Sequence, residues 1–119
     1  MGATVYDYPA AVGTVTILSG ASLSDAQDLQ GCRLTGIRMP ASWTAASLTF
    51  QVSEDGTNFV NLYNLNGEVT YSTGASYGVS FNAEDFLSWR YIKVRSGTSG
   101  AAVTQGADRT LVLVGSALA

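Results

Sequence analysis

A chain of 119 residues that is 46% hydrophobic and only 13% charged has the length and apolar content of one folded domain, whereas a disordered chain is poorer in apolar residues and richer in net charge. Its net charge of −3 excludes the basic footprint of a nucleic-acid binder. It holds no histidine and one cysteine, Cys32, which excludes His-based zinc sites, Ser-His and Cys-His nucleophile pairs and an internal disulfide.

Residues 1–12 read as an N-terminal arm and residues 13–119 as one domain. The arm carries Val5, Tyr6, Tyr8 and Pro9. Chain ends that nothing ties down fray, so disorder and docking on the chain's own body are the plain readings. Tyrosine, however, is favoured at interfaces, where it buries area at low entropic cost and keeps a polar tip. These four residues are therefore the candidate contacts with a partner subunit. Ordering an arm costs about 1–2 kcal/mol per residue in backbone entropy, and Val5, Tyr6 and Tyr8 are the side chains whose burial can offset it.

Beyond the arm the dominant hydrophobic period is two, the period of a strand. Thr14 to Ser19 alternates threonine with apolar residues and runs into the turn signal Ser19-Gly20. Cys32 to Met39 places Thr35, Ile37 and Met39 on one face and Leu34 and Arg38 on the other. Pro40 stops it, because proline cannot donate to a sheet ladder. Trp43 then falls at an expected loop tip and is the candidate glycan or surface contact. Ser47 to Ser53 is the clearest strand, with Leu48, Phe50 and Val52 facing one way. The Asp55-Gly56 pair signals a tight hairpin, and Phe59 to Tyr63 returns from it.

Asn64-Leu65-Asn66-Gly67 and Thr73-Gly74-Ala75-Ser76 give two further reversals, leading into strands at Val69 to Ser72 and Tyr77 to Phe81. Asn82 can cap a single helical turn, with Glu84 and Asp85 in its positive first turn. Arg90 to Ser96 follows, Ile92 and Val94 facing in and Tyr91, Lys93 and Arg95 facing out. After a long small-residue loop, the Leu-Val-Leu-Val run within Arg109 to Gly115 suggests a central strand buried on both faces. About eight short strands at close spacing predict an all-β antiparallel sandwich of two packed sheets in jelly-roll order, with an extended N-terminal arm.

The chemistry-bearing residues point to binding. Asp25 with Asp28, and Glu84 with Asp85, are paired carboxylates, but a glycosidase needs two carboxyls across a scissile bond; capping and solvation account for both pairs. Glu54 to Asn58 offers oxygen ligands to calcium without the spacing of a dedicated loop. Trp43, Tyr63, Tyr71, Tyr77, Trp89 and Tyr91 could stack on a sugar, although aromatics of small sandwiches mostly fill the core, and Trp89, beside a core strand, is expected to be buried. Cys32 reads as a small buried apolar residue. No cofactor, metal or enzymatic activity is expected. No apolar segment approaches the ~18 residues of a membrane span and no leader-like start is present, so the expectation is a chain made and folded in a cytoplasm, without a membrane or nucleic-acid partner. The low charge, with a single lysine, Lys93, fits an exterior rich in Ser, Thr, Asn and Gln and equally a surface covered by neighbouring chains, since interface cores are depleted of charge.

The stretch Trp43-Thr44-Ala45-Ala46-Ser47-Leu48-Thr49-Phe50-Gln51-Val52-Ser53-Glu54-Asp55-Gly56-Thr57-Asn58-Phe59 resembles a pattern in small structural proteins of tailed bacteriophages, prophages and gene-transfer agents. The resemblance continues through Arg90 to Thr98 and Ala107 to Leu111, so it covers most of the chain from Leu34 onward and leaves out the arm. It implies a virion component such as a head decoration, cement or head-fibre protein, bound to the major capsid protein or another virion protein on the capsid surface as a homo-oligomer, for instance a trimer. A tail-associated module is the other structural role it implies. The turn Ser53 to Phe59 also resembles that of discoidin-like and galactose-binding-like sandwiches, which implies the alternative of a carbohydrate-binding module used in host adsorption.

Overall fold

A computed structural model of the chain describes residues 7–118, with side chains for residues 11–116. Among these residues the strands are β1 (Asp7–Ile17), β2 (Gln27–Asp28), β3 (Arg33–Arg38), β4 (Leu48–Ser53), β5 (Val60–Asn61), β6 (Tyr63–Asn64), β7 (Gly67–Glu68), β8 (Gly78–Ser80), β9 (Tyr91–Ser96) and β10 (Arg109–Leu118), with a 3-10 turn at Ala83–Phe86. Two four-stranded antiparallel sheets, ordered β1-β10-β3-β8 and β2-β9-β4-β5, are joined by a separate β6-β7 hairpin. One core lies between them: Val15, Ile17, Leu34, Ile37, Leu111 and Leu113 come from the first sheet, and Phe50, Val52, Ile92 and Val94 from the second. The alternating pattern thus folds as the antiparallel β-sandwich it predicts, because each strand can bury only the face on which its apolar residues recur.

Four expectations are corrected in detail. Leu34, Ile37 and Met39 are all buried, although alternation sets Leu34 on the face opposite the other two. The register of β3 against β10 jumps from Gly36↔Val114 to Leu34↔Gly115, and the extra residue of this β-bulge reverses the alternation. β10 is central, as its apolar run suggests, but Val112 and Val114 are only half-buried, so the outer face of its sheet stays partly open. The turn expected at Glu54 to Asn58 is present, with Gly56 at φ +80° supplying its left-handed residue, but the return strand expected over Phe59 to Tyr63 is only Val60–Asn61, with Val52 pairing with Val60. Val69 to Ser72 forms no strand; Tyr71 makes one bridge to Leu48 and turns its ring onto Phe50 and Phe81.

β1 begins at Asp7, opposite Leu118, and pairs along β10 to Ile17 opposite Arg109. The second half of the expected arm is therefore sheet in its backbone, with Tyr8 opposite Ala117 and Pro9 opposite Ser116. Pro9 is tolerated because β1 is an edge strand, where one missing N–H can face away from the ladder. The expected cap at Asn82 is present, its side chain accepting from Glu84 N at 3.3 Å.

Two buried polar clamps hold the loops. Gln105, 1% exposed, accepts from Thr44 N at 2.9 Å and Arg109 Nε at 3.1 Å. It donates to Thr44 O at 3.0 Å and Ser96 Oγ at 2.6 Å. Arg95 sits on the outward face of β9, as expected, yet is buried there: it donates to Asn61 Oδ1 of β5 at 2.6 Å and pairs with Glu68 of the β6-β7 hairpin at 3.4 Å.

Phe50 has no exposed surface and meets the rings of Tyr71, Phe81 and Phe86 edge-on. Phe50→Ala is expected to cost about 3–5 kcal/mol, and Gln105→Ala about 1–3 kcal/mol through the partners it leaves unpaired. Urea denaturation checks both, as a lowered midpoint at unchanged slope.

Candidate functional site

At one end of the sandwich the β2-β3 connection, the segment from the 3-10 turn into β9 and the end of β10 surround a cleft of about 870 Å³. Small-molecule sites occupy roughly 300–1,000 Å³. Leu29 and Phe86, both almost fully buried, lie at its base, and the half-buried indole of Trp89 lines it. Leu87, 62% exposed, stands beside them.

The rim is polar. Arg90 Nε and NH2 donate to Asp28 Oδ1 and Oδ2 at 3.1 and 3.0 Å, the planar two-bond geometry of a guanidinium on a carboxylate. Asp28 Oδ1 also accepts from Gln30 N at 2.8 Å. The bond from Arg90, then that from Gln30, hold the Asp28 carboxyl below its ordinary value, and Asp28 in turn raises the Arg90 guanidinium. Gln30 is held at φ 53° and Gly31 follows at φ 77°. A side-chain-bearing residue in the left-handed region is strained, and the Asp28 contact is what fixes it. Cys32, expected to be buried, is half-buried and lines the same cleft.

The structure disperses the residues that sequence reasoning singled out. Val5 and Tyr6 lie outside the described residues, and Tyr8 and Pro9 are described in backbone alone. Trp43 is half-buried rather than a free tip: it packs against the core and its Nε1 donates to Ala46 O at 3.1 Å. Tyr63 and Tyr77 are exposed, while the Tyr71 hydroxyl accepts from Asn82 N at 2.8 Å. Among the described residues no two of the six aromatics named above are in ring contact; Tyr71 stacks on phenylalanines and Tyr91 lies under Arg90.

Of the carboxylates singled out, those of Asp25, Asp55 and Asp85, like that of Asp28, are engaged with the protein itself. Asp25 Oδ1 accepts from Thr16 N at 2.8 Å and Asp85 Oδ1 from Asn64 Nδ2 at 3.2 Å. In the turn offered to calcium, Asp55 Oδ1 accepts from Thr57 N, Asn58 N and Ser53 Oγ, each at 2.8 Å, and Oδ2 from Asn58 Nδ2 at 2.7 Å. Those bonds make Asp55 a turn-forming residue and push its carboxyl far below its ordinary value.

The cleft escaped the reading of the sequence. Asp28 and Arg90 are 62 positions apart, and no period links them. The two-residue pairing of β2 with β9, Asp28 opposite Tyr91, brings them together. Opposite charge was the one signal available, and it does not choose among partners.

An all-β antiparallel sandwich with a polar-rimmed cleft at one end is the class that this geometry defines. No family model matches the chain, and no curated protein matches it. Among solved structures it is similar to the SPBc2 prophage-derived protein YomS, at 11% identity over 98% of both chains with a TM-score of 0.56. It is also similar to the C-terminal domain of a Bacteroides fragilis chitobiase, at 19% identity over 82% of this chain and 64% of that one with a TM-score of 0.40. A third likeness is to a chitosan-binding module of a chitosanase/glucanase from Paenibacillus sp. IK-5, at 19% identity over 98% and 79% with a TM-score of 0.37. At these identities the first likeness establishes the fold, and the other two are too distant to carry more.

Asp28 and Asp55 both have folded values depressed below the ordinary carboxyl value of 3.8. Their contribution to stability is therefore complete above that pH and is lost as pH falls through the folded values. Chemical denaturation between pH 7 and 2 is expected to show stability held to about pH 4 and declining below it, with Asp55→Asn flattening the acid limb and Asp28→Asn, whose pair is solvent-exposed, flattening it only slightly. A limb unchanged by both replacements would refute the assignment.

Proposed function

We propose that this protein is a non-enzymatic structural component of a tailed-phage particle, a head decoration protein that binds the major capsid protein from outside and reinforces the shell as a symmetric homo-oligomer such as a trimer. The observation that carries the reading is the end-to-end likeness of fold to a prophage-derived protein, 98% of each chain, in agreement with the phage-like segments at residues 43–59, 90–98 and 107–111. On this reading the protein is made in the host cytoplasm and resides on the capsid surface.

The shape of the sandwich supports it. β1 is an edge strand of 11 residues. Among the described residues the outer side of β1 is met at Thr16, whose N–H and carbonyl bond Asp25, while no strand pairs its outer side from Asp7 to Thr14. A long open edge is a liability for a monomer, and assembly onto a neighbour is one way of covering it. Val5, Tyr6, Tyr8 and Pro9, at or just before this edge, are the contacts we assign to the partner.

Purified full-length protein added to heads of the encoding phage that lack it is expected to co-sediment saturably and to raise the temperature at which those heads break open. Light scattering after size exclusion is expected to report an oligomer. Deleting residues 1–6, which precede β1, is expected to weaken head binding at least tenfold (about 1.4 kcal/mol) while the thermal midpoint of the free protein is unchanged. A monomer that stays in the supernatant overturns the proposal.

A further inference from the structure

We propose that the cleft between Asp28–Arg33 and Phe86–Arg90 is a saccharide-binding site. The inference does not depend on where on a particle the protein sits.

A pyranose ring presents an apolar C–H face and an edge of hydroxyls, each of which both donates and accepts. A site for it needs an apolar wall beside rigid groups of both hydrogen-bonding kinds. Trp89, half-buried and packed against the core, and the exposed Leu87 supply the apolar wall. Arg90 uses two N–H groups on Asp28 and keeps its remaining donors, while each Asp28 oxygen keeps acceptor capacity. The two side chains are 58% and 27% exposed, so a ligand reaches both. Adjacent hydroxyls of one sugar fit such a pair, one accepting from the guanidinium and the next donating to the carboxylate. Ser88 and Ser116 add hydroxyls to the same rim.

The site is fixed before any ligand arrives. Arg90 is held by Asp28 and by the ring of Tyr91 at 5.3 Å, and Asp28 also pins the strained turn at Gln30. Groups already held in place lose little freedom on binding. Other ligand classes fit less well. A wholly apolar molecule would strip water from the charged rim without replacing its bonds, and a polyphosphate, although Arg33 and Arg90 line the cleft, would bring its charge against the Asp28 carboxylate that Arg90 already holds. Nor do the described residues gather three or more carboxylate, histidine or cysteine side chains for a metal.

The experiment is a printed panel of neutral, N-acetylated and acid-terminated oligosaccharides probed with the full-length protein, with Ser88→Trp and Arg90→Ala alongside. Ser88 is exposed, so the tryptophan fills the cleft without touching the core, and an unchanged thermal midpoint checks this. Retention on at least one sugar class that falls tenfold or more in both variants is expected; the neutral and acidic arms of the panel identify the class. Two results overturn the proposal: no sugar retained above an unrelated β-sandwich control, or retention that Ser88→Trp leaves intact. Retention that Trp43→Ala abolishes while Ser88→Trp does not would place the sugar at the other end of the molecule and overturn it equally.

Discussion

Phe50 lies between the two sheets with none of its surface exposed, and its ring meets three others edge-on: Tyr71 from the connection after the β6-β7 hairpin, Phe81 just after β8, and Phe86 from the 3-10 turn. Edge-to-face rings prefer particular separations and angles, so this contact does more than remove apolar surface from water. It fixes where three irregular segments cross the sandwich. Phe86 is the inner end of the segment that becomes the cleft wall, so the position of Trp89 and Arg90 follows from the packing of Phe50. Core and cleft are one piece of architecture.

The two ends of the sandwich are finished differently. At the end where β9 and β4 meet at Ser96 and Leu48, Gln105 ties the loop carrying Thr44 to the long connection before β10, and Gly97 at φ +90° lets that connection fold back so closely that a Cβ there would lie 2.5 Å from Ala101 O. The Gln105 side chain and the groups it bonds at this end are satisfied, the arrangement that gives a loop one conformation. At the opposite end the Asp55 turn, beside Tyr91, is hydrogen-bonded within itself, and next to it an ion pair and a strained turn are left open to solvent. A pair so exposed contributes little to stability, which makes its planar geometry and its neighbouring indole more telling as features of a surface that meets something else.

Both proposed roles use the outer contours of a rigid body. The edge of β1 offers backbone groups along a line, suited to a neighbouring subunit, whereas the cleft offers side-chain groups converging on a point, suited to a small polar molecule. The low charge of the chain serves both, since charged groups withdrawn from water must be repaid by well-placed partners, and five arginines with one lysine leave few to withdraw.

The sequence by itself determined the strand period, the antiparallel sandwich, the central place of β10, the reversals at Gly56 and Gly67 and the cap at Asn82. Each of these depends on side chains within a few residues of one another, or on the alternation that selects one face of a strand. The tertiary structure decided the rest. The β3 bulge opposite Val114 and Gly115 is a property of two strands in register, and Arg95 is buried where the distant Asn61 and Glu68 meet it. Trp43 is packed rather than offered to solvent because its loop is tied down by Gln105, 62 residues on. The Asp28–Arg90 pair exists because two residues of β2 find a place beside β9. Contacts between positions far apart in the chain leave no local period to read, and opposite charges or apolar side chains attract without specifying which of many partners they meet.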